Sequence, residues 1–143
     1  MQLERVSPVE CKVPERLQCV FRERGVAVLA LRGERLLREN DPSNGAYLVE
    51  SGQVKLWLKG KGARPVFTHT ARSGELFGLA SNFLSAPPGL NATAVTASRV
   101  FFVDRNTLID FIKEQPADAI WILTCFSQDV HRLNLRVRRI LTK

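Results

Sequence analysis

Short apolar runs separated by turn residues fill the middle of the chain. From position 26 to position 103, β-branched and aromatic residues occur in runs of a few residues, and pairs such as Ser51-Gly52 and Ser73-Gly74 interrupt them at intervals of about ten residues. Such pairs separate strands, because Gly and Ser tolerate the backbone angles of tight turns. Many short strands at regular spacing predict a sandwich, a jelly roll or a barrel.

The strand signal is clearest in three runs, at residues 46–49, 54–58 and 66–69. In the second run, Val54, Leu56 and Leu58 alternate with other positions, which is the period-2 pattern of a strand with one buried face. We therefore expect Trp57, on the opposite face, to lie away from the core.

A helical period precedes the first strand. Leu17, Val20 and Phe21 share one face of residues 14–23, so a short amphipathic helix is predicted there. Gly25 is its predicted stop.

The segment after Pro116 has the apolar spacing of a long helix. Six apolar residues recur at intervals of three or four and form one stripe over about three heptads: Leu123, Phe126, Val130, Leu133, Val137 and Ile140. Ile120 and Trp121, in the first turns, are expected to pack on the chain's own strands. The stripe extends beyond what those strands can cover, so we expect it to pair with a second copy and form a homodimer.

Length and composition fit a single domain that needs no stabilising metal. The chain has 143 residues, of which 45% are hydrophobic and 24% charged. No apolar run reaches the length of a membrane span, and residues 1–16 carry charges where a secretion signal needs an apolar run. These features predict a cytoplasmic protein with no membrane partner.

The cysteines and the charge do not indicate a special chemistry. Cys11, Cys19 and Cys125 form no CxxC pair, and we expect Cys19 and Cys125 to be small packing residues in helices. The net charge is +7, but the basic residues are spread over three segments, at 12–24, 55–64 and 132–143. This spread favours a solvated basic surface with weak, sequence-independent DNA binding.

No catalytic pattern is present in the sequence. The chain has no nucleophile elbow, no P-loop and no metal-ligand spacing, so we expect neither enzymatic activity nor a cofactor. Glu75 is a lone carboxylate that is expected to be solvated at a turn. His69 and His131 are expected to have surface or packing roles, and haem or metal ligation is the alternative.

Four segments, taken in order, resemble the cyclic nucleotide-binding domain of the catabolite-activator and fumarate-nitrate regulator (Crp/Fnr) family. Residues 32–41 are similar to its opening motif, with Asn40 at a common glycine position. Residues 47–54 match its Tyr-[Ile/Leu]-[Ile/Leu/Val]-x-x-Gly-x-[Val/Leu] signature. Residues 73–78 resemble the approach to its phosphate-binding cassette, and residues 103–108 resemble the exit from its last strand, where an acidic or small polar residue caps a helix.

The resemblance implies a mostly β fold with flanking helices, namely a double-stranded β-helix (jelly roll) of eight strands followed by a long C-terminal dimerisation helix. The sensor β-roll with its N-terminal helix is expected to span residues 1–115, and the dimerisation helix residues 116–143. Gly45 and Gly52 are expected to make turns, whereas Gly74 and Gly78 are expected to flank a tight strand-to-helix connection.

The cassette departs from the family pattern. In binding members, the glycine that matches Gly78 is followed by a glutamate for the ribose, and an arginine further along binds the cyclic phosphate. The residues at these two positions here are Leu79 and Pro88, and residues 76–98 contain no charge at all. The ligand-binding candidates of this degenerate cassette are Phe77, Gly78, Leu79, Ala80, Pro88, Gly89 and Asn91.

These observations predict a sensor or regulatory module that signals through its dimer helix. It is expected not to bind cyclic AMP or cyclic GMP by the usual cassette, and either to sense another small molecule, neutral or apolar, or merely to dimerise. One alternative is the effector domain of a DNA-binding transcription regulator whose helix-turn-helix is missing from this chain. The other is a cyclic nucleotide binder with an atypical site. In every case, this chain alone is expected to lack sequence-specific DNA binding.

Overall fold

The computed structural model of the chain describes residues 13–41, 44–79 and 89–142. The helices are α1 (Glu15–Arg24), α2 (Arg105–Glu114) and α3 (Pro116–Leu141). The strands are β1 (Val26–Ala30), β2 (Arg35–Leu37), β3 (Gly45–Ser51), β4 (Val54–Lys59), β5 (Pro65–Ala71), β6 (Leu76–Phe77), β7 (Asn91–Ala94) and β8 (Ser98–Asp104). The described residues divide into a β unit that ends at Asp110 and a helical unit that begins at Phe111.

Two antiparallel sheets of four strands make up the β unit. One sheet has the strand order β1-β8-β3-β6 and the other has the order β2-β7-β4-β5. Most neighbouring strands are distant in sequence, which is the winding of a jelly roll. The predicted fold class and the three predicted strand runs are therefore confirmed.

The core of the β unit consists of apolar side chains that the two sheets share: Leu37, Val49, Val54, Leu56, Ala71, Phe77, Ala92 and Val100. Val49 and Val100 lie opposite each other in the β3–β8 pair, and both are at most 1% exposed. Val54 and Leu56, two alternate residues of β4, both belong to this cluster, because successive side chains of a strand point to opposite faces.

Helix α1 confirms the amphipathic helix before the first strand. Leu17 and Phe21 are fully buried. Gly25 ends the helix, and its backbone N–H donates to the Phe21 carbonyl oxygen at 2.9 Å. A Cβ at Gly25 would lie 2.9 Å from the Phe102 carbonyl oxygen, so close approach to β8 also requires glycine here.

The expectation that Trp57 lies away from the core is wrong, because its side chain is buried at 9% exposure, although it does not belong to the cluster that the two sheets share. Its indole Nε1 donates to Thr93 Oγ1 at 2.9 Å. The guanidinium carbon of Arg35 lies 4.9 Å from the centroid of its ring. The outer face of this sheet therefore covers Trp57 with side chains from β2 and β7.

Gly45 lies in the first position of β3, and the expectation that it makes a turn is wrong. A Cβ at this position would collide with the ring of Phe102 and with the Val103 carbonyl oxygen, so the close approach of β8 requires glycine. Gly52, in contrast, has a φ of +91° and makes the expected turn. Asn40, at the family's glycine position, also has a left-handed φ, of +69°.

In the helical unit, α3 confirms the predicted long helix after Pro116. Ile120 is 66% exposed, so the expectation that it packs on the strands is wrong. The buried apolar residues of its first turns are Ile122 and Cys125, at 4% and 8% exposure. No helix in the part of the chain that the structure describes combines the length and apolarity needed to cross a membrane.

Candidate functional site

A small cavity opens in the β unit where β2 leads into β3. Its volume is about 220 Å³. The residues that line it come from β2, the following loop, β3 and β8: Arg35, Leu36, Leu37, Arg38, Asp41, Asn44, Tyr47 and Phe102. Pockets for drug-sized ligands are typically about 300–1,000 Å³. This cavity is therefore smaller than a typical drug-sized pocket.

Three aromatic side chains on neighbouring strands form a cluster at the cavity. Tyr47 stacks on Phe77 with 4.9 Å between ring centroids and an interplanar angle of 4°. The Tyr47 centroid also lies 5.0 Å from that of Phe102, at an angle of 50°. The strand register produces this cluster, because Tyr47 pairs with Phe77 of β6 on one side and with Phe102 of β8 on the other.

The hydroxyl group of Tyr47 is held at the cavity wall. It donates to the Leu36 carbonyl oxygen at 3.2 Å. Burial raises the pKa of Tyr47 above its ordinary value of 10.0. The phenol is therefore neutral at physiological pH and acts as a hydrogen-bond donor.

The cationic groups of the cavity lining come from β2 and the residue that follows it. Arg35 has its guanidinium over the Trp57 ring. Arg38 Nε lies 4.0 Å from Asp41 Oδ2, and the two side chains are 57% and 63% exposed. An exposed pair of this kind contributes about 0–1 kcal/mol. Arg38 can therefore exchange Asp41 for another anion with little loss of stability.

None of the predicted ligand-binding residues that the structure describes lines the cavity, but Phe77 and Gly78 lie beside Tyr47 of its wall. Phe77 and Leu79 are buried, at 3% and 8% exposure. Gly78 has a φ of +82°, and a Cβ there would lie 3.5 Å from Tyr47 Cδ2 and 3.8 Å from Leu37 Cδ2. The backbone at Gly78 thus approaches two cavity residues.

Of the other predicted ligand-binding residues, Gly89 and Asn91 are not among the residues that line the cavity. Ala80 and Pro88 lie outside the described residues. Gly89 is exposed, and a Cβ there would have no atom within 4 Å.

Asn91 is committed to contacts within the protein. It is 1% exposed and begins β7. Its Oδ1 accepts from the backbone N–H of Glu39 at 3.0 Å, and its Nδ2 donates to Glu39 Oε1 at 2.8 Å. The same Oε1 accepts from the backbone N–H of Lys59 at 2.8 Å. Asn91 and Glu39 therefore join the end of β2 to β7 and to the end of β4.

Glu75 has protein partners, and the expectation of a solvated carboxylate is wrong. Its Oε2 lies 3.4 Å from His69 Nε2 and accepts from the backbone N–H of Arg72 at 2.5 Å. Burial alone would raise the pKa of Glu75, but the hydrogen bonds from His69 and Arg72 outweigh it and lower the pKa below 4.5. The pair closes the connection between β5 and β6.

The histidines and cysteines that the structure describes do not assemble into a metal site. His69 belongs to the pair with Glu75, whereas His131 Nε2 is buried without a hydrogen-bond partner among the described residues. Cys125 is buried, but Cys19 is exposed, so the packing role expected for Cys19 is wrong. Cys11 lies outside the described residues. Within residues 13–41, 44–79 and 89–142, no three His, Cys, Asp or Glu side chains group closely enough to hold a metal ion.

The apolar stripe on α3 is largely exposed. Leu123, Val130, Leu133, Val137 and Ile140 are 63%, 56%, 59%, 44% and 68% exposed, respectively. Phe126, the sixth member, is half-buried. Large apolar side chains in a continuous exposed stripe mark a surface that another molecule can cover.

Sequence reasoning missed the cavity residues of β2 and β8. The family resemblance places the ligand-binding charges within residues 76–98, and Arg35, Arg38 and Phe102 lie outside that window. Tyr47 was part of the motif that carries the family resemblance, but nothing in the motif indicates that its ring meets Phe102. The sequence signal that indicates this region is a pair of arginines three positions apart, Arg35 and Arg38, which precede the motif at residues 47–54.

The sequence profile of the cyclic nucleotide-binding domain family matches residues 28–115. Among curated proteins, the "CRP-like cAMP-activated global transcriptional regulator" of Mycobacterium tuberculosis is 26% identical over 103 residues, which are 72% of this chain and 46% of that protein. The chain thus spans about half the length of the curated relatives that it matches.

Two solved structures show the same fold. The catabolite activator protein of Thermus thermophilus has a TM-score of 0.80 at 21% identity, over 89% of this chain and 59% of that one. The sensor domain of the transcriptional regulator DNR from Pseudomonas aeruginosa has a TM-score of 0.69 at 21% identity, over 86% of this chain and 82% of that domain. At these identities the likeness establishes the fold.

Proposed function

Because the chain belongs to the cyclic nucleotide-binding domain family and is a sensor domain of the Crp/Fnr type, we propose that it senses a small molecule other than cyclic AMP or cyclic GMP. We further propose that residues 1–115 form the sensor part and that residues 116–143 form the helix through which it dimerises and signals. The observation that carries the first proposal is the apolar side chain of Leu79 at the family's ribose-binding position.

The cassette lacks both polar partners of a cyclic nucleotide. Leu79 has no oxygen to accept from a ribose hydroxyl, and no charged residue occurs in 76–98 to pair with the phosphate. A buried phosphate without its charge partner loses about 3–5 kcal/mol, which is roughly two to four decades in affinity. The mycobacterial relative is cAMP-activated by name, so this is a property in which we propose that the two proteins differ.

Titration calorimetry with cyclic AMP and cyclic GMP tests this proposal. The expected result is no dissociation constant tighter than about 10 μM for either nucleotide. The double variant Leu79→Glu/Pro88→Arg restores both family residues and is expected to gain affinity. Binding of either nucleotide to the unchanged protein below about 10 μM would contradict the proposal.

The occupant that we propose for the α3 stripe is a second copy of this chain. The 3-4 spacing is that of a two-stranded helix seam, and five of its six residues are more than 40% exposed on the single chain. Self-pairing removes these side chains from water, which is the main favourable contribution to such an interface.

Analytical ultracentrifugation at tens of micromolar tests the dimer. Val130→Glu/Leu133→Glu is expected to give a folded monomer, because four carboxylates would meet at a desolvated seam. Thr124→Glu/Ser127→Glu adds the same charge at exposed positions outside the stripe and is the matched control, which is expected to stay dimeric. A monomeric unchanged protein would refute the proposal, and so would dissociation of both variants alike.

A role within a longer transcription regulator is supported by the extent of the matches. The chain covers 46% of the mycobacterial regulator but 82% of the isolated DNR sensor domain. We propose that DNA binding belongs to a part of the regulator other than these residues. Residues 1–143 alone are then expected to bind DNA weakly and with a steep salt dependence, and sequence-selective binding at physiological salt in a fluorescence anisotropy assay would refute this.

A further inference from the structure

The outer edge of β1 presents an exposed apolar strand, and we propose that it pairs with the β1 edge of a second copy of this chain. β1 is the last strand of its sheet, beside β8, in the part of the chain that the structure describes. Val26 and Leu29 are 64% and 74% exposed, and Leu31, directly after the strand, is 66% exposed. This contact goes beyond the α3 contact proposed above and uses a different surface.

The other edges of the two sheets have features that oppose pairing with another chain. β6 has only two residues and β2 only three. β5 begins with Pro65, which has no N–H to donate, and its register with β4 shifts between Leu56 and Trp57. Short strands, prolines and bulges are the usual protections of a sheet edge.

β1 has none of these protections. Its five residues pair with β8 in one unbroken register, from Val26 opposite Phe102 to Ala30 opposite Ser98. Residues 25–31 contain no charged residue and no proline. A regular, uncharged edge of this kind is a template for another strand, because that strand satisfies the backbone groups that point outward from the sheet.

The sequence of β1 complements itself when two copies run antiparallel about Val28. In that register, Leu29 of each copy lies opposite Ala27 of the other. On the opposite face of the sheet, Val26 of each copy lies opposite Ala30 of the other. The large exposed side chains thus meet alanines, and a contact that uses the same patch on both copies is the commonest way in which a chain assembles with itself. This self-complementarity favours a second copy over a strand of a different protein.

The length of β1 limits the strength of the contact. Pairing removes apolar side chains from water and adds backbone hydrogen bonds, but a pair of short strands is only marginally stable by itself. We therefore expect association through β1 at about 500 μM protein, well above the concentration at which the α3 dimer is expected.

Sedimentation equilibrium at about 30 μM and about 500 μM tests the pairing. The unchanged protein is expected to form species of more than two chains only at the higher concentration, because the α3 and β1 contacts then operate together. Val130→Glu/Leu133→Glu, which lacks the α3 contact, is expected to be monomeric at the lower concentration. At the higher concentration it is expected to form dimers and nothing larger, since a two-fold contact closes after two copies.

Leu29→Lys in the Val130→Glu/Leu133→Glu protein tests the residues of the edge. It is expected to weaken the association at least about tenfold, because the two lysines lie diagonally across the pair at about 7 Å. An equal mixture of Leu29→Lys and Leu29→Glu is expected to associate more tightly than either variant alone, since opposite charges then meet across the pair.

Val66→Lys in the same protein is the matched control. Val66 is an exposed apolar residue of β5, the edge strand that begins with proline. Its replacement adds the same charge at a protected edge and is expected to change the association by less than about twofold. A thermal unfolding scan of each variant, followed by circular dichroism, checks that it is folded.

Four results would overturn the proposal. The first is the absence, at the higher concentration, of any species beyond those that α3 explains, which would leave the β1 edge to a strand of another protein. The second is equal weakening by Leu29→Lys and Val66→Lys. The third is a mixture of the two Leu29 variants that associates no more tightly than either alone, and the fourth is growth of the Val130→Glu/Leu133→Glu protein beyond dimers. None of these results bears on nucleotide binding or on the α3 dimer, which are measured separately.

Discussion

Replacement of Asn91 with alanine tests whether this residue holds the fold together or is available to a ligand. The side chain is 1% exposed and makes a reciprocal pair of hydrogen bonds with Glu39, one to its backbone N–H and one to its carboxylate. Alanine removes both bonds. It also leaves the Glu39 N–H without this acceptor at the end of β2.

The two hydrogen bonds give the size of the expected effect. A net hydrogen bond to a charged group contributes about 1.5–3 kcal/mol, and one between neutral groups about 0.5–1.5 kcal/mol. Glu39 Oε1 keeps its bond from the Lys59 N–H, so the carboxylate is not left without any donor. Asn91→Ala is therefore expected to lower the free energy of unfolding by about 2–4 kcal/mol.

Urea unfolding, followed by far-ultraviolet circular dichroism at one fixed protein concentration, measures this change. Asn106→Ala is the control, because Asn106 is exposed in α2 and its loss is expected to change stability by at most about 0.5 kcal/mol. If Asn91→Ala unfolds within about 0.5 kcal/mol of the unchanged protein, the hydrogen bonds to Glu39 do not stabilise the fold. Asn91 would then be free to act as the ligand contact that the sequence indicates.

Two further substitutions test the turn at Gly52 and the start of α2. Gly52→Ala and Gly33→Ala both place a side chain at a positive φ, which costs about 1–2 kcal/mol. Only the alanine at position 52 would also collide with Ser98, so Gly52→Ala is expected to lower the unfolding midpoint in urea more than Gly33→Ala does. Equal midpoints for the two variants would contradict the collision. Asp104 Oδ1 accepts from the Thr107 N–H at 2.7 Å, and Asp104→Ala is expected to cost about 1 kcal/mol at neutral pH. The hydrogen bonds from Thr107 lower the pKa of Asp104 below 3.8. The contribution of the Asp104 carboxylate to stability is therefore complete above pH 3.8 and disappears as the pH falls through the lowered pKa. If the unchanged protein and Asp104→Ala still differ in stability by the full amount at lower pH, the Asp104–Thr107 hydrogen bond is not the cause of the difference.

The fold was predictable because its signals are local. Alternating apolar positions in β4, the turn at Gly52 and the 3-4 spacing in α3 each depend on residues close in sequence. Gly45 was assigned the wrong role because its need for glycine comes from the Phe102 ring of a distant strand. A glycine that avoids a collision between strands and a glycine that makes a turn look the same in a sequence.

The site was less predictable because its residues meet only through long-range strand pairing. Arg38, Tyr47 and Phe102 belong to three separate segments, and no spacing in the sequence relates them. Which residues of the first turns of α3 are buried could not be predicted from the sequence either. Its periodicity establishes a helix, but it does not tell which of Ile120 and Ile122 is buried, since that depends on what the helix contacts.

Tyr47 is the only tyrosine in the chain. It stands in the wall of the cavity with its ring between Phe77 and Phe102, so every tyrosine-specific spectroscopic signal of this protein originates at that one place. With isotope-labelled tyrosine, the ring resonances of a single residue report on what enters the cavity. An alkaline optical titration likewise follows one phenol, whose ionisation is shifted upward by burial. The molecule thus carries an intrinsic probe at this position, and no dye or engineered label is needed to observe it.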